Sequence, residues 1–203
     1  MNTREKLSAF LLITAVILAL IKLPEESSLK MSLSKVLSEA ADRDTYLTPD
    51  QVARYIVNED STVMLIDVRS SDEYEKINIP GSINLPYNDF LKKDLFARLP
   101  AGNIKKIFYS NDDYDSNFAF ILAEGLGSKN NFVMKGGFNG WFTDIMNSEF
   151  RGERITAREN ALFETRYKAR KLFTEINSLP DSLKAKRLIL SRFDPKKLDG
   201  GCE

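Results

Sequence analysis

The residues best suited to carry out chemistry follow one short apolar segment, Ile107 to Tyr109. They are Ser110, Asn111, Asp112, Asp113, Tyr114, Asp115 and Ser116. A serine hydroxyl is a weak nucleophile near neutral pH and needs a neighbouring base, but the chain contains no histidine. A Ser-His-Asp triad is therefore excluded. A zinc site built from cysteine and histidine is excluded within one chain as well.

The three aspartates of this segment offer oxygen ligands of the kind that calcium and magnesium prefer. Their spacing matches no EF-hand pattern, so we predict no metal and no other cofactor. We interpret the segment as a surface that recognises a protein partner. A solvated acidic loop without a partner is the simpler alternative.

A second reactive group is the single cysteine, Cys202, which follows Gly200 and Gly201. One cysteine cannot form a disulfide within the chain. Its position predicts an exposed and mobile thiol. A disulfide-linked dimer, a sulfur-carrying role and an incidental thiol all remain open.

Charge is distributed unevenly although the formal net charge is zero. Residues 44–150 hold ten Lys and Arg against sixteen Asp and Glu, a net charge of −6. Residues 151–203 hold thirteen against eight, a net charge of +5. A basic tail of this kind can contact anionic lipid or an acidic partner. Because acids are interspersed throughout, we favour a solvated helical face that rests on the acidic domain, and we expect no nucleic-acid partner.

An apolar run begins at Leu7, after Arg4 and Lys6, and includes only Ser8 and Thr14 as polar residues before Lys22. No small-residue cleavage pattern follows closely. We therefore predict that residues 1–23 are a signal anchor or transmembrane helix, inserted through residues 7–23. A cleaved signal peptide, giving a secreted protein, is the runner-up, and a buried soluble helix is a weaker third option. The preceding cations keep the N-terminus cytoplasmic and place the main domain in the periplasm or outside the cell.

The rest of the chain divides into a stalk at 24–43, a domain at 44–150 and a basic helical tail at 151–203. In the domain, strand-like and helix-like segments alternate, which predicts a parallel sheet covered on both faces. The loop after the strand Ile107–Tyr109 should then lie at the carboxyl edge, where such sheets bind ligands. We expect helices at 48–57, from Ser71, at 88–99 and at 117–126. In the tail we expect a helix at 153–176 and a second at 181–193.

Three stretches of this domain resemble the rhodanese family of sulfurtransferases. Val63 to Arg69 matches a buried strand that ends in Asp67-x-Arg69, and Glu73 follows at the family's distance. Asn78 to Pro86 matches the family's His-Ile-Pro-Gly pattern through Pro80 and Gly81, with Asn78 in place of the histidine. The third stretch contains Gly136, Gly137 and Trp141.

The resemblance implies a five-stranded parallel sheet with helices on both faces, and it implies where the catalyst should be. The family's active loop reads Cys-x-x-Gly-x-Arg-Ser. Here Ser110 takes the place of the cysteine, Asp113 that of the glycine and Asp115 that of the arginine. A serine oxygen cannot carry a persulfide, and the carboxylates repel anionic substrates such as thiosulfate. We therefore expect a catalytically inactive, membrane-anchored domain that binds a protein. A sulfur carrier that uses Cys202 and a structural component of a membrane assembly are the alternatives.

Overall fold

The computed structural model describes residues 32–89, 99, 103–149, 156–180 and 182–184. Within them lies a five-stranded, all-parallel sheet with the strand order β1-β5-β4-β2-β3. The long central strands β2 and β4 pair from Val63 with Lys105 to Asp67 with Tyr109. The strands are β1 Tyr46–Leu47, β2 Val63–Asp67, β3 Ile83–Asn84, β4 Lys105–Tyr109 and β5 Asn131–Met134.

Helices connect the strands and flank the sheet. Local sequence explains where several of them begin: Thr48, Ser70 and Thr156 each form a capping box with the Gln or Glu three residues later, as this pattern predicts. The helices are α1 Leu33–Ala40, α2 Pro49–Val57, α3 Ser71–Lys76, α4 Asp113–Gly125, α5 Gly137–Trp141 and α6 Ala157–Asn177. Short 3₁₀ turns lie at Arg43–Thr45 and Tyr87–Asp89, and a π-helical turn lies at Phe142–Met146.

Two apolar clusters hold these layers together, one on each face of the sheet. One includes Leu65, Ile107 and Trp141, and the other includes Ile66, Phe108 and Phe120. Neighbouring strand residues alternate between the clusters because side chains along a strand point to opposite faces. The fold expected from the sequence, a parallel five-stranded α/β sheet, is confirmed.

Helix α6 is part of the first cluster. Ala169 and Phe173 are buried there, and the Phe173 ring packs against Phe138, Trp141 and Phe142. Polar groups fix the same helix at its sides. Arg166 forms two 2.6 Å bonds to Asp50, and Arg170 donates to the carbonyls of Ile145 and Ser148. Residues 157–177 thus complete the core of the domain that precedes them.

Element boundaries differ from the sequence prediction at two places. The helix expected from Asn117 begins four residues earlier, at Asp113. The helix expected at 153–176 occupies Ala157–Asn177 in the described residues. The stalk is expected to be helical or flexible, and its described part contains the helix α1.

Other predictions fall outside the described residues. The anchor at 7–23, most of the helices expected at 88–99 and 181–193, and Cys202 all lie there. Among the helices that the structure describes, none combines the length and apolar character needed to cross a bilayer.

Candidate binding cleft

A cleft of about 350 Å³ lies at the carboxyl edge of the sheet, where β2, β3 and β4 end. Parallel sheets commonly bind ligands at this edge, because their loops diverge there. The lining includes three carboxylates. The lining residues are Val68, Arg69, Ser70, Ser71, Glu73, Pro86, Tyr87, Asn88, Asp89, Ser110, Asn111 and Asp115.

The floor of the cleft contains a buried ion pair. Arg69 donates from Nη2 to Asp67 Oδ2 at 2.6 Å and from Nε to Asp67 Oδ1 at 3.0 Å. Its guanidinium also donates to the Ile77 carbonyl and lies 4.1 Å above the Phe138 ring. Burial lowers the pKa of Arg69, but the hydrogen bonds and charge of Asp67 outweigh this and the net shift is upward. The Arg69 guanidinium therefore stays charged and forms an ion pair with Asp67.

The loop between β4 and α4 is hydrogen-bonded to the backbone that follows Gly136 and Gly137. The Phe138 N–H donates to the Ser110 carbonyl at 2.7 Å, and the Asn139 N–H donates to the Asn111 carbonyl at 3.0 Å. Gly137 has φ +54, and a Cβ there would lie 2.5 Å from the Ser110 oxygen. Only glycine permits this close approach of two backbone segments.

Carboxylates occupy the positive end of helix α4. Asp112 caps the helix by accepting the Tyr114 N–H at 2.9 Å. Asp113 accepts the Gly136 N–H at 2.5 Å, and Asp115 Oδ2 lies 3.4 Å from the Ser110 hydroxyl. Aspartates in a first turn are stabilised by the helix dipole. The predicted loop 110–116 is therefore a three-residue turn followed by a helix start, since capping by Asp112 begins the helix early.

A hydrogen bond links this turn to helix α3. Asn111 donates from Nδ2 to Glu73 Oε1 at 2.8 Å, and Ser70 donates to Glu73 Oε2 at 2.7 Å. The bond from Asn111 is the main cause of a lowered Glu73 pKa, with Ser70 next. Glu73 is thus ionised at neutral pH on the wall of the cleft.

The remaining motif residues from the sequence lie away from the cleft. Trp141 is buried in the first cluster, and its Nε1 has no hydrogen-bond partner among the described residues. Pro80 is buried, and Gly81 forms a turn with φ +78. Among the described residues, no group of three or more Asp, Glu, Cys or His is placed to hold a metal.

Asn78, in the position that the sequence comparison assigned to a family histidine, contacts the tail helix. Its backbone N–H donates to Asn177 Oδ1 at 3.1 Å, and Asn177 Nδ2 donates to the Asn78 carbonyl at 2.9 Å. This amide pair joins residues 99 positions apart in the chain. Sequence reasoning missed it because nothing in the pattern around Asn177 distinguishes it from a solvated helix end.

Sequence reasoning also missed one wall of the cleft, the turn Tyr87–Asp89. Its signal was available, because residues that follow a strand of a parallel sheet lie at the carboxyl edge. The prediction had instead assigned residues from Asn88 onward to a helix. It therefore overlooked Tyr87, Asn88 and Asp89 as lining residues.

Comparisons with known proteins identify the family that this architecture resembles. Residues 48–144 match the family model of the rhodanese-like domain. A thiosulfate:glutathione sulfurtransferase of Saccharomyces cerevisiae is 34% identical over 76 residues, which are 37% of this chain and 53% of that protein. An uncharacterized protein of Buchnera aphidicola is 25% identical over 91 residues, or 43% of this chain and 61% of that protein. The match thus spans little more than half of each relative.

A solved structure of similar architecture is the single-domain sulfurtransferase of Saccharomyces cerevisiae. It is 22% identical, with a TM-score of 0.43, and the alignment covers 51% of this chain and 92% of that one. The motif stretches around Asp67, Pro80 and Gly136 lie within the matched range. Strands β2 to β5 lie within it as well, and β1 ends one residue before residue 48, where the match begins. The chain therefore contains a rhodanese-like domain, at residues 48–144.

Proposed function

We propose that this rhodanese-like domain binds a protein partner through its acidic cleft and does not transfer sulfur. One observation carries the proposal. By the resemblance, Ser110 stands where the family has its cysteine, and in the structure its hydroxyl lies 3.4 Å from the carboxylate of Asp115. A sulfurtransferase needs a thiolate at this point, with cationic or N–H groups around it to stabilise a bound anion.

The state of the surrounding N–H groups supports the same conclusion. The N–H groups of Tyr114, Gly136, Phe138 and Asn139 all donate to oxygens of the chain itself. Two of these oxygens belong to the carboxylates of Asp112 and Asp113. An anion that approached the turn would meet negative charge, and these four donors are already in use. A cationic or neutral polar surface of a protein suits the cleft better.

The first test is an assay of thiosulfate sulfurtransferase activity. We expect the full chain to form no more thiocyanate from thiosulfate and cyanide than its Ser110→Ala variant. The Ser110→Cys variant should remain far below family-like turnover, because Asp113 and Asp115 persist. Activity of the native chain above that of Ser110→Ala would contradict the proposal. Full turnover by Ser110→Cys alone would contradict its electrostatic part.

A second test addresses binding directly. A photo-crosslinking amino acid at Tyr114, which is 71% exposed and precedes the lining residue Asp115 on helix α4, should yield a defined adduct in cells. The adduct should disappear when Glu73→Gln and Asp115→Asn are added. The matched control places the same amino acid at Tyr167, which is 58% exposed on helix α6. Equal adducts at both positions would mean that contact is nonspecific.

We further propose that residues 7–23 hold the protein in a membrane, with the domain outside the cytoplasm. The support is the apolar run from Leu7 and the cations Arg4 and Lys6 before it. The protein should stay in the membrane pellet after carbonate extraction and keep its N-terminal residues on sequencing. A mature product that starts between Lys22 and Ala41 would indicate a cleaved signal peptide instead.

A further inference from the structure

Two carboxylates of the acidic cleft lack an ion-pair partner in the part of the chain that the structure describes. They belong to Glu73 and Asp115, and neither joins an ion pair among those residues. Arg69 is the one cation among the described lining residues, and its guanidinium pairs with Asp67. The described lining therefore offers two carboxylates to a cationic ligand.

Exposed aromatic side chains lie on the same helix as Asp115. Tyr114 is 71% exposed and Phe118, one turn further along α4, is 49% exposed. Their ring centroids lie 5.9 Å apart, and Tyr87 lines the cleft on another side. Carboxylates beside open aromatic faces favour lysine and arginine, whose stems pack on rings while their heads pair with the acids. The surface thus fits a basic segment that also carries apolar residues.

A basic segment with apolar residues, 185–203, directly follows Lys184, the last described residue of the tail. Lys184 is buried, and its Nζ donates to the carbonyl of Lys76, the last residue of helix α3. The other end of α3, at Ser71 and Glu73, lines the cleft. Six helical residues span only about 9 Å. The nineteen residues at 185–203 reach roughly 60 Å when extended, so the cleft is well within their range.

The composition of this segment complements the cleft. Residues 185–203 hold five Lys and Arg against three Asp and Glu. The cations are interleaved with apolar side chains: the basic residues are Lys186, Arg187, Arg192, Lys196 and Lys197, and the large apolar ones are Leu188, Ile189, Leu190, Phe193 and Leu198. We propose that residues 185–203 occupy the acidic cleft of their own chain and compete there with a partner.

This inference concerns regulation of the same site and so rests on the proposed function. A segment tethered this close to its site has an effective concentration of about 1 mM. An intrinsic dissociation constant near 0.1 mM would then keep the cleft about nine-tenths filled by the tail. A partner would meet an apparent affinity lowered about tenfold.

The single native cysteine provides the first test. In the full chain, Asn88→Cys places a second thiol on the cleft lining, and Lys129→Cys places one at an exposed site at the amino end of β5. In a glutathione buffer, the intramolecular disulfide from position 88 to Cys202 should be at least tenfold more stable than the one from position 129. Adding Glu73→Gln and Asp115→Asn should remove this difference. Equal disulfide stability at the two positions, or a difference that survives loss of both carboxylates, would overturn the inference.

A second measurement separates this inference from the proposed function. The probe is a labelled peptide of residues 185–203 with Cys202→Ser. It should bind at least tenfold more tightly to a full chain carrying Lys186→Glu, Arg187→Glu and Arg192→Glu than to the native chain. Equal binding to both chains would overturn the inference and leave a cation-binding cleft. Binding to neither chain would overturn both.

Discussion

At the residue scale, the turn after β4 depends on Gly137. Its φ of +54 already disfavours other residues, and a Cβ would also meet the backbone of Ser110 and Asp112 at 2.5 to 2.8 Å. Gly81 separates the two effects, since its φ is +78 but nothing lies within 4 Å of its Cβ position. A comparison of Gly81 with Gly137 therefore separates the energetic cost of backbone strain from that of close packing.

We expect Gly81→Ala to lower the free energy of unfolding by about 1 kcal/mol, the usual cost of a left-handed backbone with a side chain. Gly137→Ala should cost at least roughly 2 kcal/mol more, because two backbone segments must separate. Urea denaturation of both variants measures the difference. Equal losses of stability would show that close packing at Gly137 does not hold the turn.

Glu73 gives the cleft a pH-dependent contribution to stability. Its folded pKa lies below its unfolded value, first because of the bond from Asn111. The stabilisation is therefore complete above the unfolded pKa of about 4.3, and it is lost as the pH falls through the folded pKa. Because Glu73 is partly exposed, the effect should stay below about 1 kcal/mol.

Glu73→Gln should lower the free energy of unfolding at pH 7 and converge with the native chain below about pH 4. Glutamine keeps the capping geometry, so the comparison isolates the charge. Glu75→Gln on the same helix is the matched control for the loss of one carboxylate. A Glu73→Gln difference that stayed constant from pH 7 to pH 3 would contradict the assigned shift.

At the element scale, helix α6 belongs to the domain rather than to a solvated tail. Phe173 is 4% exposed and lies among Phe138, Trp141 and Phe142, whereas Tyr167 on the same helix is 58% exposed. The basic side chains Arg166 and Arg170 bond to the body of the domain. The domain boundary that the sequence predicts at residue 150 therefore divides a single hydrophobic core.

Phe173→Ala should lower the free energy of unfolding by about 3 to 4 kcal/mol, since it leaves a cavity in the first cluster. Tyr167→Ala should change it by less than about 0.5 kcal/mol. Chemical denaturation measures both, and circular dichroism checks that the helix content is kept. A small effect of Phe173→Ala would mean that α6 rests only loosely on the sheet.

At the scale of the whole molecule, the rhodanese-like match ends at residue 144, but the core does not. We expect a chain that ends at residue 149 to lose cooperative unfolding, because Ala169, Phe173 and the Arg170 bonds are removed together. A chain that begins at residue 32 is the control, and it should unfold in one cooperative transition. Calorimetry measures the cooperativity of unfolding of both chains. Cooperative unfolding of the shorter chain would show that residues 48–149 fold alone.

Much of the scaffold could be predicted from particular residues. The apolar run at Val63–Ile66 and the caps at Thr48 and Ser70 are local signals, so β2, α2 and α3 were confirmed. The start of α4 was misplaced because Asp112 reads equally as a loop residue or as a cap. Only its bond to the Tyr114 N–H distinguishes the two.

The sequence by itself determined the parallel α/β architecture, the absence of histidine and the concentration of acids at 112–115. These follow from residue type and short-range periodicity, which every segment carries on its own. Only the tertiary structure decided that Glu73 joins that turn through Asn111, that Tyr87–Asp89 forms another wall, and that Asn177 pairs with Asn78. Such contacts join segments far apart in the chain, and they depend on how the folded sheet and its helices bring those segments together, which no local pattern encodes.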